Sequence, residues 1–267
     1  MTPNKQDSNN ITDRRHWLDH FKQIKQTSTS NIVKLPSYKY SNILDKILPK
    51  RDDWNVLEIG AFPGNNLASM SIRYGYKPVA IDFIPRVHEL TDSFKSFGID
   101  DVEIIEQDFF NWKTNRKFNV VMSYGFVEHF TDLNKTLSRH WDLVAEGGFM
   151  IVTTPIFGPL QMLLRRLILT EEKLKNVLET HNLSVMDVKK IDRLASTFHS
   201  SHRIFSDHIR EMHTWFKVTD SYVRKNRRII LYIWKIIAKI PFWLKWSNRI
   251  YSPTGMVIYQ KKIVDAK

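Results

Sequence analysis

Along the middle of the chain, short apolar runs alternate with longer stretches in which apolar positions recur every three or four residues. Val56, Leu57 and Ile59 form the first such run and predict a buried parallel strand that stops at Gly60. Helical spacing follows over Asn65–Arg73, then a second strand over Lys77–Ile81. Further runs predict a strand within Asp101–Trp112, one from Phe118 ending at Ser123, and one within Ala145–Pro155. A helix from Thr170 to His181, a sixth strand from Leu183 to Ile191 and a last strand from Gly255 to Ile263 complete the pattern. Two amphipathic helices precede it, Arg14–Gln23 with Trp17, Leu18 and Phe21 on the buried face, and Ser37–Pro49. Alternation of this kind predicts an α/β, doubly wound, mostly parallel sheet of seven strands, with a helical extension before it and a helical insertion before its last strand.

The same pattern divides the chain. Residues 1–12 are polar and Asn-rich and read as a flexible tail with no apolar signal segment. Residues 13–50 form the helical extension, 51–193 the core, 194–253 the insertion, and 254–267 the last strand and terminus.

The first strand runs into Glu58-Ile59-Gly60-Ala61-Phe62-Pro63-Gly64, an acidic residue followed by spaced glycines that turn the backbone sharply and open a helix. That arrangement is expected of a loop that binds a nucleotide cofactor. Asp82, at the end of the second strand and 22 residues after Gly60, stands where a carboxylate accepts from both ribose hydroxyls. A nicotinamide-binding loop runs G-x-G-x-x-G, and this one does not.

In this order of motifs the chain resembles the class I S-adenosylmethionine-dependent methyltransferases, with a Rossmann-like fold, from about Leu48 to Pro155. Phe62 replaces that family's middle glycine, so its bulky side chain is expected to point away from the cofactor. The resemblance implies S-adenosyl-L-methionine as cofactor, bound by Glu58, Gly60, Gly64, Asp82, Phe83, Asp108, Phe109, Ser123 and Tyr124. Asp108 would accept from the adenine amino group and Phe109 would border the ring. Glu128-His129 resembles the Glu-His pair of small-molecule methyltransferases, and imidazole titrates near neutrality as a base must. His129 and Glu128 are therefore the expected catalytic pair. Tyr124, His199 and His202 are expected to touch the acceptor, and Tyr38 and Tyr40 either line the site or pack the core.

Composition narrows the chemistry. The chain has no cysteine, which removes disulfides, thiolate metal sites and every reaction that needs a cysteine nucleophile. Glu128 and His129 alone fall short of a usual ligand set; His199, His202, His208 and His213 could supply more ligands, but no metal is expected. The formal net charge is +12, yet Leu194–Pro253 alone holds 11 Lys and Arg against 3 Asp and Glu. Within it Ser221–Trp246 is apolar, aromatic and cationic, but Lys235, Lys239 and Pro241 interrupt it, so it does not span a membrane. As a helix it aligns Arg224, Arg228, Lys235 and Lys239 in one stripe and needs cover elsewhere, from the protein itself, a second subunit in a homodimer, or an anionic membrane surface.

The sequence thus predicts a cytoplasmic methyltransferase, peripheral at the inner membrane surface if the stripe binds lipid. Its expected acceptor is oxygen of a small or glycan-type molecule, anionic or lipid-linked. Relatives with a similar Gly-Phe-Val-Glu-His-Phe run serve surface-polysaccharide or natural-product pathways. The alternatives are an RNA methyltransferase using the basic insertion, or a cofactor-binding scaffold without transfer activity. Ser123-Tyr124-Gly125-Phe126 stands where enzymes that methylate DNA adenine carry an Asn/Asp-Pro-Pro-aromatic run, so nucleic acid is the less favoured partner.

Overall fold

The structure is a computed structural model that describes residues 9–21, 40–84, 86–209, 223, 225–237, 252 and 254–263. The elements, in chain order, are α1 (Arg14–Phe21), α2 (Ser41–Leu44), β1 (Asn55–Ile59), α3 (Asn65–Tyr74), β2 (Lys77–Asp82), α4 (Val87–Ser96), β3 (Glu103–Glu106) and β4 (Phe118–Tyr124). They continue with α5 (Leu133–Asp142), β5 (Val144–Pro155), α6 (Pro159–Ile168), α7 (Glu171–Glu179), α8 (Val188–Ala195), β6 (Ser201–Ile209), α9 (Arg228–Ile237) and β7 (Thr254–Lys261).

The seven strands form one sheet in the order β3-β2-β1-β4-β5-β7-β6. β1 to β5 pair in parallel, while β7 is antiparallel to both β5 and β6. Side chains alternate across each strand, which divides the core into two layers. Leu57, Ile59, Val121, Met150, Val152 and Tyr259 face one layer, and Val56, Val120, Met122, Ile151 and Ile258 face the other. Strand order reverses between β1 and β4, and a crevice opens there beyond the carboxyl ends of the strands, where open α/β sheets bind ligands.

One predicted strand is a helix. Leu183–Ile191 was expected to pair, but Val188, Ile191 and Ala195 are buried at spacings of three and four residues, the signature of one helix face. Asp187 caps α8 by accepting from the Lys189 N–H at 3.0 Å. The sixth strand is instead Ser201–Ile209, an edge strand whose alternating polar residues hid it. The sheet therefore draws on residues beyond 193, and what separates its last two strands begins after Ile209 rather than at Leu194.

The amino-terminal residues 9–12 are not a free tail. The Ile11 N–H donates to the His129 carbonyl at 2.9 Å and the Thr131 N–H to the Asn9 carbonyl at 2.8 Å, so this segment straps across the loop after β4. No helix of the described residues is long and apolar enough to cross a membrane. Tyr38, His213, Arg224, Lys239 and the side chains of Phe21 and Lys235 lie outside the described residues.

Candidate active site

Four of the five parallel strands deliver residues to the crevice from their carboxyl ends. Gly60 follows β1, Asp82 ends β2 and Phe83 follows it, Gln107 to Phe110 follow β3, and Tyr124 ends β4 with Gly125 and Phe126 after it. Asn10, Thr12, Trp17, His129 and Phe130 close the far side of the cleft. Its walls are mainly aromatic with a few fixed polar groups, as expected of a small-molecule site.

Gly60 holds φ +70°, a left-handed conformation that glycine adopts without strain. A Cβ there would lie 2.8 Å from the Phe126 ring. Gly60→Ala therefore combines backbone strain with overpacking, together about 2–4 kcal/mol, and is expected to lower the midpoint of thermal unfolding by about 5–10 °C. Gly98 has a similar φ of +77° but nothing within 4 Å of its Cβ position, so Gly98→Ala should lose only the backbone part. Equal midpoints for the two variants would contradict the close packing of Gly60 on Phe126.

The Asp82 carboxylate sits between two backbone donors, with Oδ2 accepting from the Phe62 N–H and Oδ1 from the Ile84 N–H, both at 3.1 Å. Burial raises its pKa, and the N–H groups of Phe62, Ile84 and Phe83 oppose that shift. A carboxylate has about four acceptor positions, so room remains for a ligand's hydroxyls. Asp108 uses Oδ1 to accept from the Phe110 and Asn111 N–H groups at 2.9 and 3.1 Å, a tight turn that aims the residue at the cleft. Phe83 and the buried Phe109 line the same part. Phe62 is also among the lining residues, and its ring lies 4.9 Å from the Arg86 guanidinium and packs against one layer of the core. Tyr124 stacks on Tyr40 at 5.3 Å, which puts Tyr40 behind the wall as core.

Three residues expected at the cofactor serve the frame instead. Glu58 is buried below the loop, where Oε2 accepts from the Leu67 N–H at 3.0 Å and Oε1 from Asn66 Nδ2 at 3.4 Å, satisfying donors at the start of α3. Burial pushes its carboxyl up to about 8. Gly64 begins α3 at φ +93°, and a Cβ there would meet Leu90 and Phe94 at 2.9 Å, so its smallness brings α3 against α4. Ser123 is fully buried and shares a hydrogen bond with His140 Nε2 at 3.0 Å. His140 Nδ1 donates to the Thr136 carbonyl at 2.8 Å, which leaves Nε2 to accept from the Ser123 hydroxyl. Burial moves the His140 pKa down to about 4, so the ring is neutral.

The two histidines expected to touch the acceptor are at the wrong end of the sheet. His202 pairs with Gln260, and the His199 carbonyl accepts from Trp141 Nε1 at 3.1 Å, both at the amino-terminal end of β6. Because β6 runs in the same sense as β5, its cleft-side end is Ile209. His208, paired with Gly255, sits near that end.

The far end of the cleft is built around a 3-10 turn, Val127–His129. His129 is buried, lines the cleft, and meets the Trp17 ring edge-on at 4.7 Å. Its Nδ1 donates to the Thr180 carbonyl at 2.7 Å, while Nε2 lies 3.8 Å from Glu128 Oε1. Glu128 lies beneath the lining, where burial pushes its carboxyl up to about 8 and the Thr154 hydroxyl partly offsets that shift. The Asn182 N–H donates to the Glu128 carbonyl at 2.7 Å, which docks the segment after α7 onto this turn. Asn10, Thr12, Gln107 and Phe130 were not anticipated; Gln107, next to Asp108 at a strand end, was open to the same rim argument, whereas Asn10 and Thr12 sit in a polar stretch with no pattern.

The profile of a methyltransferase domain matches residues 34–198, more than half of the chain. The chain belongs to the class I S-adenosylmethionine-dependent methyltransferases. No curated protein sequence matches it. Among solved structures, the enzyme is similar to the plantazolicin methyltransferase BpumL, which was determined with a triazolic desmethyl analogue and SAH. That likeness has 11% identity and a TM-score of 0.54, over 85% of this chain and 82% of that one. Phosphoethanolamine N-methyltransferase 2 of Haemonchus contortus, in complex with S-adenosyl-L-methionine, gives 15% identity and a TM-score of 0.59 over 94% of this chain and 60% of that one. N-methyltransferase NodS of Bradyrhizobium japonicum, with SAH, gives 9% and 0.55 over 94% and 99%. At such identities the likeness shows the shared fold.

Proposed function

We propose that the cleft holds S-adenosylmethionine with its ribose on Asp82, its adenine bordered by Phe83, Phe109 and Asp108, and its methionine end over Gly60 toward Tyr124. The observation that carries this reading is the convergence of Gly60, Asp82, Asp108 and Tyr124 on one cleft at the point of strand-order reversal. The methyl group then faces the end lined by Trp17, Phe126, His129 and Phe130. Methyl transfer needs an acceptor lone pair aligned behind the methyl carbon, so positioning comes first and removal of the acceptor's proton second. His129 and Glu128 serve the second need.

The acceptor in this reading is oxygen of a small or glycan-type molecule, anionic or lipid-linked, met on the cytoplasmic side of the membrane. Exposed Leu163 and Leu167 on α6 and Ile229, Tyr232 and Ile233 on α9, with exposed Arg227 and Arg228 beside them, support a surface that meets lipid and anionic headgroups.

Methyl-labelled donor incubated with the enzyme and a cell extract tests the assignment. Label is expected in the anionic small-molecule or lipid-extractable glycan fraction. Label in RNA would favour the nucleic-acid alternative, and SAH binding without transfer to any fraction would favour a non-catalytic scaffold.

A further inference from the structure

We infer that Glu128, His129 and His181 form a binding site for a divalent cation of the first transition series at the acceptor end of the cleft. The inference deepens the methyltransferase reading and rests on His129 lying where the acceptor enters.

The three residues come from separated stretches of chain, the turn after β4 and the segment that follows α7, yet one ligand atom of each lies within 4.8 Å of the others. An ion about 2.1 Å from each needs ligand atoms about 3.3 Å apart, so Glu128 and the half-buried His181 would have to move toward the fixed His129 ring to close the set. The hydrogen bonds already present fix which nitrogen of each ring carries the lone pair. His129 Nδ1 reaches the Thr180 carbonyl at 2.7 Å and His181 Nδ1 the Val177 carbonyl at 2.8 Å. A carbonyl only accepts, so both Nδ1 atoms carry the proton and both Nε2 atoms carry the lone pair. This is the arrangement by which outer hydrogen bonds fix histidine ligands.

Glu128 supplies an independent observation. It is 1% exposed, and its Oε2 is buried without a hydrogen-bond partner. A buried carboxyl oxygen left in that condition is costly, and a cation beside it would take its lone pair and favour the ionised form. Two imidazoles and one carboxylate suit Zn2+, Mn2+ or Co2+ better than Mg2+ or Ca2+, which favour all-oxygen ligands.

Three protein ligands leave a coordination position for the acceptor. An acceptor hydroxyl bound there loses its proton to solvent more readily, because the cation stabilises the resulting oxyanion. The oxygen lone pair then forms the new C–O bond, the C–S electron pair stays with sulfur, and S-adenosylhomocysteine leaves. His129 and Glu128 thereby promote proton loss as ligands.

The test uses tag-free full-length protein, stripped with chelator and titrated with Co2+ while the visible ligand-field absorption is followed. One equivalent is expected to bind, and His181→Ala, His181→Gln and Glu128→Gln are expected to bind at least about tenfold more weakly. SAH affinity, measured on the same samples, is expected to be unchanged in the His181 variants, which also reports that they are folded. Equal Co2+ binding by wild type and the His181 variants, or none by wild type that binds SAH, would overturn the ion site and leave the methyltransferase reading standing. Co2+ binding that depends on His181 in a protein unable to bind SAH would support the ion site and count against methyl transfer.

Discussion

His129→Ala is expected to lower methyl transfer by about 10²–10⁴-fold, a rise of about 3–5 kcal/mol in the barrier. The ring is buried at the acceptor end, pinned through Nδ1 to the Thr180 carbonyl and edge-on to Trp17, and so holds one orientation. It lies apart from Asp82 and Asp108, which are assigned to the nucleoside, so SAH affinity should change little. Single-turnover transfer with saturating donor separates the two quantities. A fall of less than about tenfold would return His129 to a packing role and move proton removal elsewhere.

The sequence revealed the frame better than the side-chain directions. Short apolar runs marked β1, β2, β4 and β5 because strands buried on both faces admit few polar residues, whereas the edge strand β3 showed only its Ile104-Ile105 pair; Asp82 and Asp108 were legible because the carboxyl rim of a parallel sheet leaves few places to point. Glu58 and Ser123 sit on those same strands but turn into the protein, Glu58 toward the start of α3 and Ser123 toward His140. Spacing along the chain does not carry that difference. Val188, Ile191 and Ala195 carry a helical period, but only the first two fall within the predicted strand Leu183–Ile191, too few for the period to show. That single shift displaced the insertion boundary and drew His199 and His202 toward a site they do not reach. The strap at Asn9–Thr12 and the approach of His181 to His129 are long-range contacts between polar residues, which leave no local pattern to read.

Asp82→Ala is expected to weaken S-adenosylhomocysteine binding by at least about a hundredfold. Two hydrogen bonds from ribose hydroxyls to a carboxylate contribute about 1.5 kcal/mol or more each, so their joint loss exceeds about 3 kcal/mol. The same substitution removes the acceptor that holds the Phe62 N–H of the glycine loop, so the loop's contribution falls with it. Calorimetric titration of wild type and Asp82→Ala with S-adenosylhomocysteine, beside a nicotinamide dinucleotide as competitor, measures this directly. The account predicts one site per chain, loss of affinity in the variant and no competition by the dinucleotide. Equal affinity in the two proteins, or displacement of the ligand by the dinucleotide, would contradict the assignment of this cleft to S-adenosylmethionine.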